Sequence, residues 1–135
     1  MTPERKRSEI IRYWWEKAED SLQSALREFD AGAYGFSVNR LYYAAFYAVC
    51  AALFERRQTF KKHTGVRAAY HREFIKTGLL DLRWGKLYDQ LFEDRQEGDY
   101  VTFIDFDRDY VERQIGECRE FLNNIRSMIT SLTKP

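Results

Sequence analysis

The chain has 135 residues, a length typical of one domain with little room for a second hydrophobic core. Its 22 basic and 21 acidic residues leave a net charge of +1, which excludes a strong global field for nucleic acid, so any RNA contact must use a local basic patch. Aromatic residues make up 16% of the chain, and because such side chains are enriched at interfaces this favours an oligomer over the alternative, a tightly packed monomer.

The N-terminal segment, MTPERKRSEI, lacks the apolar core of a signal peptide, so we expect a cytoplasmic protein. Apolar residues then recur at steps of three and four over residues 8–30, which predicts one amphipathic helix. Gly32 and Gly35 follow it and are expected to end it. The apolar stripe consists of Ile11, Trp14, Trp15, Ala18, Leu22, Ala25, Leu26 and Phe29.

A second helix is predicted over residues 36–57. Its centre, LYYAAFYAVCAALF, is apolar on nearly every side, which is typical of a helix that is surrounded by other elements. This helix is therefore either the central helix of a bundle or a helix that a partner subunit also buries. The apolar run is shorter than the roughly 20 residues that a bilayer crossing needs, so we expect no membrane contact.

Three further helices are predicted along the rest of the chain. Residues 64–77 form a short one, residues 81–97 form a longer one that we expect to stop at Gly98, and residues 107–132 form the last. Residues 99–106 alternate briefly like a strand, but a lone strand would have no partner, so we predict an ordered loop packed by aromatic side chains. The last helix carries an apolar seam suited to antiparallel bundle packing.

Together these segments predict an all-α fold in a single domain, residues 1–135: an antiparallel four-helix up-down bundle with an additional short helix. The only prolines, Pro3 and Pro135, lie at the ends, so none interrupts a helix. Cys50 and Cys118 fall within helical patterns and are predicted to be small buried side chains. Because the chain has only two histidines and no CxxC or HxxxH spacing, we expect no metal site and no cofactor.

Four segments resemble the HEPN domain family, in its branch of small stand-alone bundle proteins: SVNRLYYAAFYAVCAALF, KKHTGVRAAY, FIKTGLL and LFEDRQEGDY. Their order and spacing cover residues 39–106, and the flanking helices agree in length. The resemblance implies an α-bundle that is commonly a homodimer and often pairs with a minimal nucleotidyltransferase as toxin and antitoxin. It also implies that the protein engages RNA or a nucleotide, since many active members are metal-independent ribonucleases.

The catalytic motif of those ribonucleases is an arginine followed, after four to six residues, by a histidine near a helix end. Arg95 matches the arginine, but Asp99 and Tyr100, four and five positions after it, are not histidines. Arginine can hold a phosphate, whereas aspartate is a weak base and tyrosine a poor one at neutral pH. The resemblance thus makes Arg95 the candidate for phosphate binding and Asp99, Tyr100 or His63 the candidates for proton transfer. The alternative is a non-catalytic dimeric binding or scaffold module that has lost the catalytic histidine.

A second arginine–histidine pair lies at the end of the second predicted helix. Arg57 and His63 are separated by five residues, which fits the motif's spacing but not its expected place. Lys61 and Lys62 precede His63 and form with it a local basic patch that can contact phosphates. This segment is therefore either an alternative catalytic site or a solvated loop.

A third group, Arg40, Tyr43 and Tyr47, is spaced by three and four residues and so shares one helical face. One interpretation is a structural network in which Arg40 meets Asp94 or Asp99 through a bidentate bond. The other places the same side chains around a nucleotide or an RNA phosphate in a dimer cleft. Both remain open at the level of sequence.

The remaining aromatic residues suggest packing more than binding. Trp14, Trp15 and Trp84 are predicted to lie in the core or at a dimer interface. Tyr70 and His71, on the third predicted helix, are expected to face solvent, where they can stack on a base.

Overall fold

The computed structural model of this chain describes residues 2–100 and 105–133, and for residues 98–100 it describes the backbone alone. No strand occurs within these ranges, which confirms the predicted all-α class. A π-helical segment, His71–Ile75, continues the third helix. The α-helices are α1 (Pro3–Asp30), α2 (Tyr34–Glu55), α3 (His63–Tyr70), α4 (Leu82–Tyr100), α5 (Arg108–Ser127) and α6 (Thr130–Thr133).

Helix α1 begins five positions earlier than the apolar stripe predicts. Thr2 is its N-cap, and the Thr2 hydroxyl accepts a hydrogen bond of 3.2 Å from the backbone N–H of Arg5. Pro3 occupies the first helical position, where its missing N–H costs nothing. Thr2 and Pro3 therefore allow the helix to begin before its first buried residue, Ile11. At the other end, Gly32 has a φ of 76°, a left-handed conformation that turns the chain into α2.

Helix α2 is the central helix of the fold. It contacts α1, α3, α4 and α5, which explains why its sequence is apolar on nearly every side. The short connection between α1 and α2, together with their extensive contact, makes the two an antiparallel hairpin. The residues of α2 that are buried are Ser37, Val38, Leu41, Tyr42, Ala44, Ala45, Ala48, Val49, Ala51, Ala52 and Leu53.

Two predicted boundaries near the middle of the chain are wrong. The helix predicted over residues 64–77 is α-helical only from His63 to Tyr70 and then widens into the π-helical segment. Helix α4 continues through Gly98 to Tyr100 instead of stopping. A glycine weakens a helix interior by about 1 kcal/mol, but it does not by itself end a helix.

The last predicted helix, residues 107–132, is divided in two. Asp107 caps α5 by accepting a hydrogen bond of 3.2 Å from the backbone N–H of Tyr110, and α5 ends at Ser127. The short helix α6 then starts where the backbone N–H of Thr130 donates to Glu55 Oε1 over 3.1 Å. This contact with α2 is tertiary, so the local pattern could not show it. The rest of the predicted seam is in the core except at its end, where Leu132 is half-buried. Its buried residues are Val111, Ile115, Cys118, Leu122, Ile125 and Ile129.

Buried polar side chains fasten α4 to α5. Asp94 is only 4% exposed and accepts hydrogen bonds from Gln90 Nε2, at 2.8 Å, and from the Tyr110 hydroxyl. Burial, and then the bond to Asp94, raise the pKa of Tyr110, so this hydroxyl keeps its proton and remains a donor. Asp94 therefore bonds to Tyr110 of α5, and not to Arg40 as one interpretation of the sequence predicts.

Most of the aromatic residues singled out in the sequence lie in the core. Trp15 and Trp84 are buried, as predicted, while Trp14 is half-buried. The prediction that Tyr70 faces solvent is wrong, because its ring is buried and its hydroxyl donates to the carbonyl of Trp84 over 3.0 Å. The local sequence around Tyr70, a short helix after a polar loop, does not indicate that α4 packs over this ring.

The two cysteines are unbridged thiols. Cys118 is buried and Cys50 is half-buried, and in each case burial raises the pKa of the thiol to about 12. No helix in the described ranges combines the length and the apolar character that a membrane crossing requires.

Candidate functional site

Four side chains from three helices meet at one end of the apolar centre of α2. We call Tyr42, Tyr43, His63 and Arg95 the His–Arg cluster. Arg95, on α4, donates a hydrogen bond of 3.1 Å from Nη2 to the Tyr43 hydroxyl. Its guanidinium carbon lies 5.5 Å from the ring centroids of both Tyr42 and Tyr43, a cation–π arrangement that holds the charge against α2.

His63, the first residue of α3, packs against the same two tyrosines. Its Nδ1 lies 2.8 Å from the Tyr42 hydroxyl, and its ring centroid lies 5.7 Å and 5.9 Å from those of Tyr42 and Tyr43. Phe46 stacks on the imidazole at 4.2 Å with an interplanar angle of 16°. The loop between α2 and α3 folds back far enough to place the start of α3 beside the middle of α2. His63 Nε2 makes no hydrogen bond to any residue that the structure describes.

The charges of the cluster favour a neutral histidine beside a cation. Burial, and then the positive charge of Arg95, lower the pKa of His63 from its usual 6.5, so the imidazole is neutral at physiological pH. Burial raises the pKa of Tyr42, whose hydroxyl therefore keeps its proton. A neutral imidazole can accept a proton and a guanidinium can hold a phosphate.

The structure thus brings His63 and Arg95 to the same place. The spacing in the sequence pairs His63 with Arg57, and Arg95 with Asp99 and Tyr100, whereas His63 is a proton-transfer candidate for Arg95 on chemical grounds alone. Arg57 lies on the exposed turn after α2, with a φ of 65°, and among the described contacts none links it to His63. The side chains of Asp99 and Tyr100 lie outside the described part of the chain.

The face formed by Arg40, Tyr43 and Tyr47 is present and adjoins the cluster through Tyr43. The Arg40 guanidinium lies 5.1 Å from the Tyr43 ring centroid, and the Tyr43 and Tyr47 centroids are 5.8 Å apart. Arg40 Nε also donates to Asn39 Oδ1 over 2.9 Å. Arg40 therefore adds a second positive charge next to the tyrosines instead of pairing with Asp94.

Lys61 and Lys62 are exposed at the start of α3. Lys61 lines a cavity of about 220 Å³ beside His63, together with apolar side chains of α1 and α2. Lys61 and Lys62 thus add two positive charges beside His63, next to that of Arg95. Tyr42 and Phe46 could not be recognised as site residues from the sequence, because they stand in an almost wholly apolar run that indicates only burial in the core.

A separate polar cluster holds α4 against the π-helical segment. Asp89 Oδ1 lies 2.8 Å from Arg67 Nε and 2.8 Å from His71 Nε2. His71 is half-buried, so only part of its ring is available for the base stacking considered from the sequence. Arg67 also covers the Phe92 ring at 4.5 Å, which makes this cluster a structural tie. Across the described residues, no group of three or more acidic, histidine or cysteine side chains is arranged to hold a metal ion.

Comparison with known proteins agrees with this architecture. A sequence model of the HEPN domain matches residues 11–128, nearly the whole chain. The chain belongs to the HEPN family. A similar protein of Thermotoga maritima, named "UPF0332 protein", is 37% identical over 129 residues, which cover 96% of this chain and 98% of that protein.

Two relatives of this HEPN protein come from Methanocaldococcus jannaschii. One, named "Putative toxin MJ0142", is 34% identical over 116 residues, covering 86% of this chain and 79% of that protein. The other, named "Putative toxin MJ0605", is 27% identical over 117 residues, covering 87% of each. The resemblance carried by the sequence segments is thereby confirmed at the level of the family.

Proposed function

We propose that this HEPN protein belongs to a toxin–antitoxin-like system, engages RNA and cleaves it without a metal ion at the His–Arg cluster. The observation that supports this most is the placement of His63 and Arg95 on the same two tyrosine rings. The family motif needs a histidine after its arginine, and this chain has none there. His63 supplies an imidazole from another helix.

In the proposed reaction, Arg95 and His63 have different roles. Arg95 holds the phosphate and offsets the negative charge that grows on its oxygens. The His63 imidazole takes the proton of the ribose 2′-hydroxyl, whose oxygen attacks the adjacent phosphorus while the bond from phosphorus to the 5′-oxygen breaks. The products are a 2′,3′-cyclic phosphate and a 5′-hydroxyl. For Nε2 to accept this proton, the ring proton must lie on Nδ1 and be donated to the Tyr42 oxygen.

The leaving 5′-oxygen also needs a proton. Our proposed source of it is Tyr100, whose hydroxyl carries a proton at neutral pH, or Asp99 in its protonated form; they lie five and four residues after Arg95. Arg40, with Tyr43 and Tyr47, and the lysines at 61 and 62 are proposed to hold neighbouring phosphates. Arg40 lies on the Tyr43 ring, and the two lysines directly precede His63, so both place positive charge next to the cluster.

The proposed partners rest on the family resemblance. We propose a homodimer and a minimal nucleotidyltransferase that acts as antitoxin, both in the cytoplasm. The names of the two Methanocaldococcus jannaschii relatives support the toxin role. Co-expression of this chain with the product of a neighbouring nucleotidyltransferase gene should yield a complex on size-exclusion chromatography, and separate elution of the two proteins would contradict the pairing.

A second candidate function, a non-catalytic dimeric binding module, is favoured by one feature. The Tyr43 hydroxyl already accepts from Arg95, and the Tyr42 hydroxyl already bonds to His63 Nδ1. A cluster with such internal bonds can serve simply to join α3 and α4 to α2. In this case Arg95→Ala would change stability or partner affinity but no catalytic rate.

The two functions are separated by an RNA cleavage assay with EDTA present. We expect the wild type to cleave, and both His63→Ala and Arg95→Ala to lose activity by about 100-fold or more, the usual scale of a proton-transfer residue or an oxyanion contact. His71→Ala and Arg119→Ala are the matched controls, one histidine and one exposed arginine outside the cluster. Each variant is first shown to fold by its thermal melting curve.

The other outcomes have definite meanings. Loss in His63→Ala and Arg57→Ala, but not in Arg95→Ala, would move the site to the loop after α2. Loss in Arg95→Ala alone would leave the proton transfer to Asp99 or Tyr100. A folded wild type that cleaves no RNA would support the binding module.

A further inference from the structure

Helices α1 and α2 end in the same backbone arrangement but carry different residues at its left-handed position. In each, two hydrogen bonds close the last turn, and the chain leaves the helix through one residue with a positive φ. That residue is Gly32 after α1 and Arg57 after α2. The backbone N–H to carbonyl bonds are Ala33 to Glu28 (2.8 Å), Gly32 to Phe29 (2.9 Å), Gln58 to Leu53 (2.9 Å) and Arg57 to Phe54 (2.9 Å).

Arg57 thus occupies a position that favours glycine. Its φ is 65°, close to the 76° of Gly32, and in this conformation the Cβ of an ordinary residue crowds its own backbone. A positive charge can stabilise the C-terminus of a helix, but the C-cap residue Arg56 already supplies one at the end of α2. Because strained backbone conformations cluster at functional sites, the arginine at this position indicates a role beyond the helix end.

The side chain of Arg57 is available to a ligand. It is exposed, and it makes no hydrogen bond, ion pair or ring contact within the part of the chain that the structure describes. The neighbouring Arg56 differs in this respect, because it lies 3.5 Å from Glu73 and covers the Phe74 ring at 5.1 Å. A free guanidinium is suited to bind a phosphate or a carboxylate.

The loop that joins Arg57 to the His–Arg cluster carries further positive charge. Lys61 and Lys62 are exposed, and residues 56–62 include no acidic side chain. Phe60, although large and apolar, is 39% exposed between these charges. Basic side chains that hold the backbone, with an aromatic ring on which a base can stack, are typical of surfaces that bind single-stranded nucleic acid.

Arg57 lies too far from the cluster to bind the same phosphate as Arg95. The His63 imidazole stacks on Phe46, which precedes Arg57 by eleven residues. At 1.5 Å per helical residue, this separation is about 16 Å along α2. The positive charges of the loop therefore lead from the cluster toward the end of α2, as the successive phosphates of one strand would require.

We propose that Arg57 binds a phosphate of single-stranded RNA at a nucleotide beyond the one held at the His–Arg cluster. The strand follows the loop past Lys62 and Lys61, and the left-handed arginine is retained because its guanidinium serves this contact. The inference rests on the proposed function for the position of the first phosphate. It requires no cleavage and can be measured without it.

Two uncleavable probes separate the cluster from the loop. One is a 2′-O-methyl uridine dinucleotide, whose single phosphate fits the cluster alone, and the other is a 2′-O-methyl oligouridylate of about ten nucleotides, within the usual site sizes for single strands. The methyl group removes the 2′-hydroxyl proton and so prevents the reaction. NMR titration measures the binding of the dinucleotide, and fluorescence anisotropy measures that of the oligouridylate.

We expect Arg57→Gly to bind the oligouridylate about tenfold more weakly than the wild type and to bind the dinucleotide equally well. The slope of the logarithm of the binding constant against that of the salt concentration should decrease by about 0.7, the value for one lost phosphate contact with a single strand. Arg57→Lys, which keeps the charge, should stay close to the wild type. Arg119→Gln is the control for the loss of one exposed positive charge elsewhere and should change binding less than Arg57→Gly.

Thermal melting tests whether the arginine is held at a cost. In salt that screens surface charges, Arg57→Gly should melt at a higher temperature than the wild type. Gly32→Arg places the same residue at the matched position of α1, where nothing lies within 4 Å of an added Cβ, and should melt at a lower temperature. A lower melting temperature in Arg57→Gly, with unchanged oligouridylate affinity, would assign Arg57 to the stability of α2 and overturn the inference.

Failure of this inference differs from failure of the proposed function. Equal affinity of the wild type and Arg57→Gly for the oligouridylate would overturn the loop contact even if Arg95→Ala weakens both probes. Oligouridylate binding that is weakened by Arg57→Gly but not by Arg95→Ala would support the loop contact and contradict the phosphate site at the cluster. If Arg57→Gly weakens only the complex with the nucleotidyltransferase partner, the loop is a protein interface and the inference is wrong.

Discussion

His63 shows how a tertiary neighbour changes the chemistry of a side chain. Burial and the charge of Arg95 lower its pKa, so the folded protein favours the neutral ring. Between the folded pKa and the unfolded value of about 6.5, the unfolded chain binds more protons than the folded one. The contribution of His63 to stability is therefore complete above about pH 6.5 and is lost as the pH falls through the folded pKa.

The titration of His63 can be followed directly by NMR, because the chain has only two histidines and His71→Gln distinguishes their signals. We expect the His63 Cε1 proton to titrate with a midpoint below 6.5 and Arg95→Gln to raise that midpoint. The rise should be partial, because burial is the larger cause of the lowered pKa. In the active protein, the cleavage rate should increase with pH through the same midpoint and then level off.

A midpoint that does not move in Arg95→Gln would mean that the two side chains are not electrostatically coupled. The matched substitution Arg119→Gln controls for the loss of one positive charge from the protein as a whole. A cleavage rate that falls as the pH rises through the His63 midpoint would assign His63 the role of acid instead of base.

At the scale of elements, two glycines in helices test the packing between α4 and the π-helical segment. Gly85 of α4 lies under that segment, and a Cβ added there would come within 3.1 Å of His71 Cε1 and 3.2 Å of Ile75. Gly116 of α5 is exposed, and a Cβ there meets nothing within 4 Å. Alanine in place of either glycine would increase helix propensity, but only position 116 has room for the added methyl group.

We expect Gly116→Ala to raise the free energy of unfolding by about 1 kcal/mol, since alanine is the better helix former. Gly85→Ala should be at least about 1 kcal/mol less stable than Gly116→Ala, because overpacking against Ile75 and His71 opposes the same gain. Urea denaturation at neutral pH measures both. Equal stabilisation of the two variants would show that the π-helical segment yields to the added methyl group.

At the scale of the whole molecule, an aromatic face on α1 and α2 is the surface that we expect to form the interface of the proposed homodimer. Tyr13 is 55% exposed, and Trp14 packs on Tyr47 with centroids 5.6 Å apart. Lys17 Nζ lies 5.2 Å, 5.7 Å and 5.0 Å from the rings of Tyr13, Trp14 and Tyr47. Exposed aromatic groups of this kind are typical of the buried centre of interfaces.

Light scattering at micromolar concentration should give twice the mass of the 16.2 kDa chain. Tyr13→Glu should shift the protein toward the monomer, because it places a charge in the aromatic face. Leu82→Glu is the matched control, since Leu82 is exposed to 61% at the start of α4. A monomeric wild type would contradict the dimer, and dissociation by Leu82→Glu alone would move the interface to that end of α4.

The sequence by itself determined the class of fold, the four long helices and the family. Helical periodicity records which face of a helix is buried. The stripe from Ile11 to Phe29 and the apolar centre of α2 therefore identified these two segments as helices. The RLYYAAFYA and DRQEGDY segments carried the resemblance, and the HEPN model confirmed it.

The tertiary structure alone decided the break before α6 and the composition of the site. The break before α6 depends on Glu55, which lies far from Thr130 in sequence and caps its N–H only after folding. In the same way, His63 and Arg95 lie on different helices, and no spacing rule connects them. They meet because both pack on Tyr42 and Tyr43, and contacts between helices depend on the three-dimensional arrangement, which local periodicity does not encode.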